Sequence, residues 1–98
     1  MIIVLSWLDT TPPEEVEAIR EDMTKNKVPI LAALAGPDSA AYSNEADVRE
    51  PDFKTTFYGP NYPRLLQIKE QYDPDGMFIV PAGVGSEFWD TAGICKVF

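Results

Sequence analysis

The chain has 98 residues, a formal net charge of −8 and 45% hydrophobic residues. This length allows one small domain, and the composition is that of a folded rather than a disordered protein. The net negative charge argues against nucleic acid or an anionic membrane as a partner, because phosphate groups would be repelled. The sequence contains no histidine, which excludes serine–histidine and cysteine–histidine nucleophile pairs, and its single cysteine excludes a thiolate zinc cluster.

The first third of the chain predicts a strand followed by two helices. Residues 1–8 form an apolar run with β-branched side chains, which is typical of a strand buried on both faces and too short to cross a membrane. Thr11 and Glu14 have the spacing of a capping box and predict the start of a helix. Pro29 predicts the end of this helix, and a second, short helix is expected from Pro29 to Ala35.

The remaining residues predict one clear helix between less regular segments. A short strand that ends in a loop is predicted in residues 40–47, and a second short strand in residues 77–80. Asn61 is a suitable helix cap, and the helix that it starts should end before Pro74. The sequence therefore predicts an α+β fold with few strands and packed helices, and it predicts no metal site.

Residue chemistry alone leaves one candidate acidic site open. In an extended segment Glu45 and Asp47 would face the same side, as an acid–base pair or a hard-cation site would require. A solvated loop is the alternative interpretation, and it is favoured by composition alone. At this point the sequence indicates a small acidic α+β domain and no specific reaction.

An ordered series of motifs indicates a family. The motifs are residues 41–47 (AYSNEAD), 50–53 (EPDF), 57–65 (FYGPNYPRL), 72–78 (YDPDGMF) and 84–89 (VGSEFW). In this order they resemble the C-terminal segment of the berberine-bridge-enzyme-like flavoproteins, which are FAD-linked oxidases of the vanillyl-alcohol-oxidase class. The last motif resembles the fungal branch of that family. Several ordered matches in one segment are far more specific than any single motif.

The resemblance implies that residues 1–36 supply a strand and helices of a substrate domain, and that residues 37–98 are its berberine-bridge-like C-terminal segment. Members of the family bind FAD in an N-terminal domain and oxidise alcohols, sugars or secondary metabolites. We expect this chain to lack the FAD-binding domain, to bind no FAD alone, and to need that domain and a small-molecule substrate as partners. The alternative is a non-catalytic binding or assembly module derived from the same fold. The localisation is left open, although a secreted parent protein is compatible with the resemblance.

The resemblance also implies four candidate site residues. In sugar-oxidising relatives a Tyr-x-Asn-Tyr motif lies beside the flavin, and its second tyrosine is proposed to help remove the substrate hydroxyl proton. Tyr42 and Asn44 match the start of this motif, and Glu45 replaces the second tyrosine. Glu45 and Tyr42 are thus the candidate catalytic residues, with Glu45 acting as a base if partly buried or otherwise only shaping the pocket. Asn44 and Asn61 are the candidate cofactor contacts, and helix capping is the alternative role of Asn61.

Overall fold

The computed structural model describes residues 1–97, which form two compact units. The first unit is Met1–Ser39, and the second begins at Ala40. The α-helices are α1 (Pro13–Asp22) and α2 (Val28–Ala35) in the first unit and α3 (Tyr62–Tyr72) in the second. The helices are joined and flanked by shorter helical turns, and most of the remaining chain is turn and irregular structure.

The predicted α+β fold is wrong, because residues 1–97 contain no β-strand. An isolated antiparallel bridge between Trp89 and Lys96 is the nearest approach to a sheet in this part of the chain. The apolar runs at residues 1–8 and 77–80 are irregular and mostly exposed. An apolar run indicates that side chains become buried, but a strand also needs a neighbour to satisfy its backbone N–H and C=O groups. The described residues supply no such neighbour.

A π-helical turn, Met23–Lys27, joins α1 to α2, so the backbone winds continuously through the predicted break. The N–H of Val28 donates to the carbonyl of Met23, five residues earlier, and Pro29 lies in the first turn of α2. A proline ring in a regular α-helix clashes with the carbonyl four residues back, and the wider π turn relieves that clash. Both predicted helices are confirmed, but Pro29 does not separate them.

Both predicted helix caps are wrong. The Thr11 hydroxyl accepts a hydrogen bond from the N–H of Leu8 at 3.1 Å and makes no cap to α1. Asn61 already has helical backbone angles (φ −80°, ψ −16°) and makes no side-chain cap to α3. It ends a 3₁₀ turn, Gly59–Asn61, in which the N–H of Tyr62 donates to the carbonyl of Gly59. The helical winding therefore starts before Asn61. The predicted end of α3 before Pro74 is confirmed.

Each unit buries one large apolar side chain among the described residues. Met23 is 8% exposed in the first unit, and Tyr62 is 7% exposed in the second. The Tyr62 ring packs edge-on against Phe53, with centroids 6.0 Å apart, and lies 5.7 Å from the ring of Tyr58. Many other large apolar side chains are exposed, among them Ile2, Val4, Leu8, Ile30, Leu34, Tyr72, Met77, Phe78, Val80 and Ile94.

Gly76 should tolerate alanine less well than Gly93. Both glycines have positive φ angles, +68° and +67°, so alanine at either should cost about 1–2 kcal/mol in backbone strain. A Cβ at Gly76 would lie 2.9 Å from Cζ2 of Trp89, whereas at Gly93 it would make an ordinary 3.5 Å contact with Cγ2 of Ile79. We expect Gly76→Ala to lower the free energy of unfolding by about 1–3 kcal/mol more than Gly93→Ala, as overpacking does. Urea unfolding followed by circular dichroism measures both, and equal losses would contradict the predicted clash.

Candidate functional site

Three of the four candidate residues share one exposed turn, residues 42–45. The Asn44 side-chain amide donates to the Tyr42 hydroxyl oxygen at 2.8 Å, and the N–H of Glu45 donates to the Tyr42 carbonyl at 3.0 Å. Tyr42 is 67% exposed, and Asn44 and Glu45 are also exposed. The turn thus presents a phenol, an amide and a carboxylate on one short stretch. The partial burial that would make Glu45 an effective base is not supplied by the described residues.

The fourth candidate, Asn61, lies apart from this turn in the sequence and in its hydrogen bonding. It is exposed at the junction between the 3₁₀ turn and α3. The hydrogen bonds of the described residues do not join its side chain to Tyr42, Asn44 or Glu45. The structure therefore brings together three of the sequence-predicted residues and leaves Asn61 on a separate element.

One backbone hydrogen bond ties the start of the exposed turn to a helical segment. The N–H of Ala41 donates to the carbonyl of Thr56 at 3.0 Å. Thr56 lies in the middle of a second π-helical turn, Lys54–Tyr58, which leads into α3. The N–H of Thr56 in turn donates to the carbonyl of Asp52 at 2.9 Å. The position of Tyr42 therefore depends on how firmly the turn Lys54–Tyr58 is held.

That turn is held by a group of three side chains, Lys54, Tyr62 and Glu87, which we call the anchoring cluster. The Tyr62 hydroxyl donates to Oε2 of Glu87 at 2.6 Å and accepts a hydrogen bond from the N–H of Gly85 at 3.0 Å. Nζ of Lys54 lies 2.8 Å from Oε1 of Glu87 and 5.3 Å from the centroid of the Tyr62 ring. The cluster thus joins the π turn, the first residue of α3 and the C-terminal tail.

The protonation states of the anchoring cluster suit this role at neutral pH. Burial, aided by the hydrogen bond to Glu87, raises the pKa of Tyr62 to about 12. Partial burial alone would raise the pKa of Glu87, but hydrogen bonds from Lys54 and Tyr62 outweigh it, and the pKa lies below its ordinary value. The phenol therefore remains a donor and the carboxylate an acceptor, so Tyr62 is suited to structure rather than to proton transfer.

A second contact holds the tail beside the cluster. The Tyr58 hydroxyl donates to the carbonyl of Ala82 at 3.2 Å. Ala82 has a φ of +56°, an angle that non-glycine residues seldom adopt. Such a conformation persists where surrounding contacts determine it, and the hydrogen bond from Tyr58 is one of them.

Lys69 and Asp73 organise the loop that follows α3. The Lys69 ammonium pairs with the Asp73 carboxylate and also donates to the carbonyl of Phe78. The same carboxylate accepts hydrogen bonds from the N–H groups of Met77 at 2.8 Å and Phe78 at 3.0 Å. The loop backbone is therefore well fixed, although the side chains of Met77 and Phe78 are 78% and 79% exposed.

Asp73→Asn should remove a contribution to stability that is present at neutral pH and lost in acid. The hydrogen bond from Lys69, together with those from Phe78 and Met77, lowers the pKa of Asp73 to about 2. A carboxyl with a lowered folded-state pKa stabilises the fold above its unfolded pKa, near 3.9, and loses that contribution as the pH falls through about 2. We therefore expect the melting temperatures of the wild type and Asp73→Asn to differ above pH 5 and to converge between pH 4 and pH 2. The control is Asp75→Asn, in the same loop, and parallel curves for wild type and Asp73→Asn would contradict the prediction.

The anchoring cluster was not predicted from the sequence. Its hydrogen bond between Tyr62 and Glu87 joins residues 25 positions apart, and no local spacing encodes such a contact. The usable signal was the aromatic spacing of Tyr58 and Tyr62 at the start of the clearest helix, which indicates a packed face. Neither Lys54 nor Glu87 carries a comparable signal, because charged residues in loops are usually solvated.

Residues 1–97 contain neither a cluster of metal ligands nor a candidate membrane-spanning helix. No group of three or more cysteine, aspartate or glutamate side chains converges there as a metal site would. No helix in the same residues is long and apolar enough to span a membrane.

Comparison with known proteins identifies the family. The profile of the "Berberine and berberine like" family matches residues 41–85. An "Uncharacterized FAD-linked oxidoreductase" of Arthroderma benhamiae is 47% identical over 97 residues, which are 98% of this chain and 16% of that protein. The chain belongs to the berberine-like FAD-linked oxidoreductases. The family resemblance inferred from the ordered motifs is thereby confirmed.

Other members of the family agree in sequence and in structure. The "Flavin-dependent oxygenase ucdF" of Aspergillus ustus is 43% identical over 95 residues, covering 97% of this chain and 17% of that protein. The crystal structure of the VAO-type flavoprotein MtVAO615 from Myceliophthora thermophila C1 superposes with a TM-score of 0.77 at 44% identity. That superposition covers 87% of this chain and 15% of MtVAO615. The fold is therefore a small helical piece of a VAO-type flavoprotein.

The chain spans about one sixth of the length of the berberine-like relatives that it matches. In each of them the matching segment belongs to a chain about six times longer. Several of these relatives are named FAD-linked oxidoreductases, so FAD is the cofactor of the family.

Proposed function

We propose that these residues form the C-terminal part of an FAD-dependent oxidoreductase and act together with an FAD-binding domain outside them. The observation that carries the proposal is the match to an FAD-linked oxidoreductase along 98% of the chain at 47% identity. The substrate would be a small molecule with an oxidisable group, such as an alcohol, a sugar or a secondary metabolite. When bound, FAD would supply the acceptor for a hydride, which carries two electrons and one hydrogen away from the substrate carbon.

In this proposal the turn at residues 42–45 forms part of the pocket beside the flavin. The Glu45 carboxylate would accept the proton of the substrate hydroxyl once the FAD-binding domain covers the turn and removes water. The Tyr42 phenol, hydrogen-bonded by Asn44, would orient the substrate. Asn44 and Asn61 would contact the cofactor through their side-chain amides. The exposure of these four side chains supports the proposal, because each is accessible to another part of the protein.

The helix starts of this chain favour an FAD site that lies mainly elsewhere. A pyrophosphate binds well at a free helix N-terminus without nearby negative charge. The first turn of α1 carries Glu14 and Glu15, which would repel phosphates. The first turn of α3 is preceded by helical turns, and its first amide already donates to Gly59. The chain can therefore offer side chains to the flavin, while the phosphates would be bound by the FAD-binding domain.

Cofactor retention tests this proposal. The chain alone, mixed with excess FAD and desalted, should show no stoichiometric flavin absorbance. A chimera of ucdF, in which this chain replaces the matching segment, should retain FAD at close to one per protein. The segment boundaries can be taken from the 95-residue alignment with ucdF. A flavin band with the chain alone would contradict the proposed division of labour, and a folded chimera without FAD would favour a non-catalytic assembly module.

A further inference from the structure

The anchoring cluster has more hydrogen bonds and is more buried than a simple surface ion pair. The Glu87 carboxylate uses both oxygens, one for the Lys54 ammonium at 2.8 Å and one for the Tyr62 hydroxyl at 2.6 Å. The Tyr62 oxygen accepts a further hydrogen bond from the N–H of Gly85, and its ring is the one aromatic buried among residues 40–97. Hydrogen bonds that involve an ionised group are stronger than neutral ones, and a partly buried pair is less screened than an exposed one.

The cluster is connected to the candidate catalytic turn by a short path. Lys54 is the first residue of the π turn, and Thr56, two residues later, accepts the hydrogen bond from Ala41. Ala41 directly precedes Tyr42. The hydrogen bonds of Tyr42 itself are local, to Asn44 and Glu45, so they shape the turn but do not fix its place on the unit. The hydrogen bond to Thr56 is therefore the contact through which the cluster can set the position of Tyr42 and Glu45.

We propose that Lys54, Glu87 and Tyr62 are positioning residues that fix the turn at residues 42–45 through the π turn Lys54–Tyr58. For catalysis this role rests on the proposed function, because it matters only if the turn faces the reacting substrate. In an enzyme a misplacement of about 1 Å can cost about 10²-fold in rate. The C-terminal tail thereby contributes to the site through Glu87, although Glu87 is 42 positions from Glu45 along the chain.

Hydrogen exchange at the Ala41 amide tests the positioning without any flavin. In the 98-residue chain, Lys54→Met should speed exchange at Ala41 about tenfold, as expected for the loss of about 1.4 kcal/mol of local stability. Lys54→Arg keeps the positive charge and should stay within about twofold of wild type. Glu87→Gln keeps a side-chain oxygen that can accept the hydrogen bond from Tyr62, but it removes the negative charge opposite Lys54. This variant should also speed exchange at Ala41.

Two controls decide whether the effect is local. Lys25→Met removes an exposed ion pair with Glu21 in the first unit and should leave exchange at Ala41 unchanged. The backbone N–H of Asp73 donates to the carbonyl of Lys69 at the end of α3, and its exchange rate should be unchanged in Lys54→Met. Unchanged exchange at Ala41, or equal acceleration at Ala41 and Asp73, would overturn the proposal.

The ucdF chimera separates this proposal from the proposed function. Lys54→Met should slow flavin reduction by substrate about tenfold or more at unchanged FAD content, and Lys54→Arg should restore the rate. If the chimera binds no FAD, the proposed function fails, while hydrogen exchange still decides whether the cluster positions the turn. If exchange at Ala41 rises but flavin reduction is unaffected, the cluster has no role in catalysis and that part of the proposal is overturned.

Discussion

Glu45→Gln, introduced into a ucdF chimera that carries this chain, should slow flavin reduction by substrate by about 10²–10⁴-fold, the usual effect of removing a general base. Glutamine has nearly the same size and keeps an oxygen acceptor, but it cannot accept the substrate proton. Substrate binding should change much less than the rate. Tyr42→Phe should have a milder effect, because in this account the phenol orients the substrate and does not take its proton. Anaerobic stopped-flow spectroscopy over a range of substrate concentrations separates rate from binding.

The matched control for Glu45 is Glu70→Gln. Glu70 is exposed on α3 and belongs to none of the candidate sites, so this variant should reduce its flavin at the parent rate. If Glu45→Gln also stays within a few-fold of the parent across pH, Glu45 is only a wall of the pocket. The base would then come from a part of the protein outside these residues.

Of the substitutions proposed here, Tyr62→Ala should cause the largest loss in the free energy of unfolding. Tyr62 is the buried aromatic among the described residues of the second unit. It packs against Phe53 and Tyr58 and forms hydrogen bonds with Glu87 and Gly85. Truncation of a large buried aromatic typically costs about 3–5 kcal/mol, a large part of the stability of a small domain. Thermal unfolding of the chain, followed by circular dichroism, should show a large drop in midpoint or the loss of a cooperative transition.

Tyr72→Ala provides the comparison within the same helix. Tyr72 is 79% exposed, so its truncation should change the free energy of unfolding by no more than about 0.5 kcal/mol. Similar effects of the two substitutions would show that Tyr62 does not hold the second unit together. The loss of unfolding free energy in Tyr62→Phe should lie between those of Tyr62→Ala and Tyr72→Ala. The phenylalanine keeps the ring but removes the hydroxyl that donates to the Glu87 carboxylate.

The helix positions could be predicted from the sequence, whereas the absence of strands in residues 1–97 could not. Thr11 lies two residues before α1, and Asn61 and Pro74 bracket α3, so these local signals located both helices although neither side chain caps its helix. The apolar runs at residues 1–8 and 77–80 indicated burial, and we interpreted them as strands. Whether such a run pairs in a sheet depends on neighbouring strands, which the described residues do not contain. Pro29 was misjudged because a π turn, which has no clear sequence signal, accommodates it.

Only part of the candidate site could be predicted from the sequence. The order of five motifs was enough to identify the family, and the motif at residues 41–47 singled out Tyr42, Asn44 and Glu45. The short strand predicted in residues 40–47 is wrong, because Tyr42, Asn44 and Glu45 lie on one turn. Their predicted roles remain predictions. The anchoring cluster joins three elements through contacts between residues far apart in sequence, so no local pattern could reveal it.

Flavin reduction in the ucdF chimera tests the central claim most directly, which is that this chain is a working segment of an FAD-dependent oxidoreductase. The chimera is purified with bound FAD, made anaerobic and mixed with the substrate of ucdF, and the loss of flavin absorbance is recorded. We expect reduction within about tenfold of the rate of intact ucdF, since a tenfold change corresponds to only about 1.4 kcal/mol in the barrier. A folded chimera that holds FAD stoichiometrically but is not reduced by substrate would contradict it.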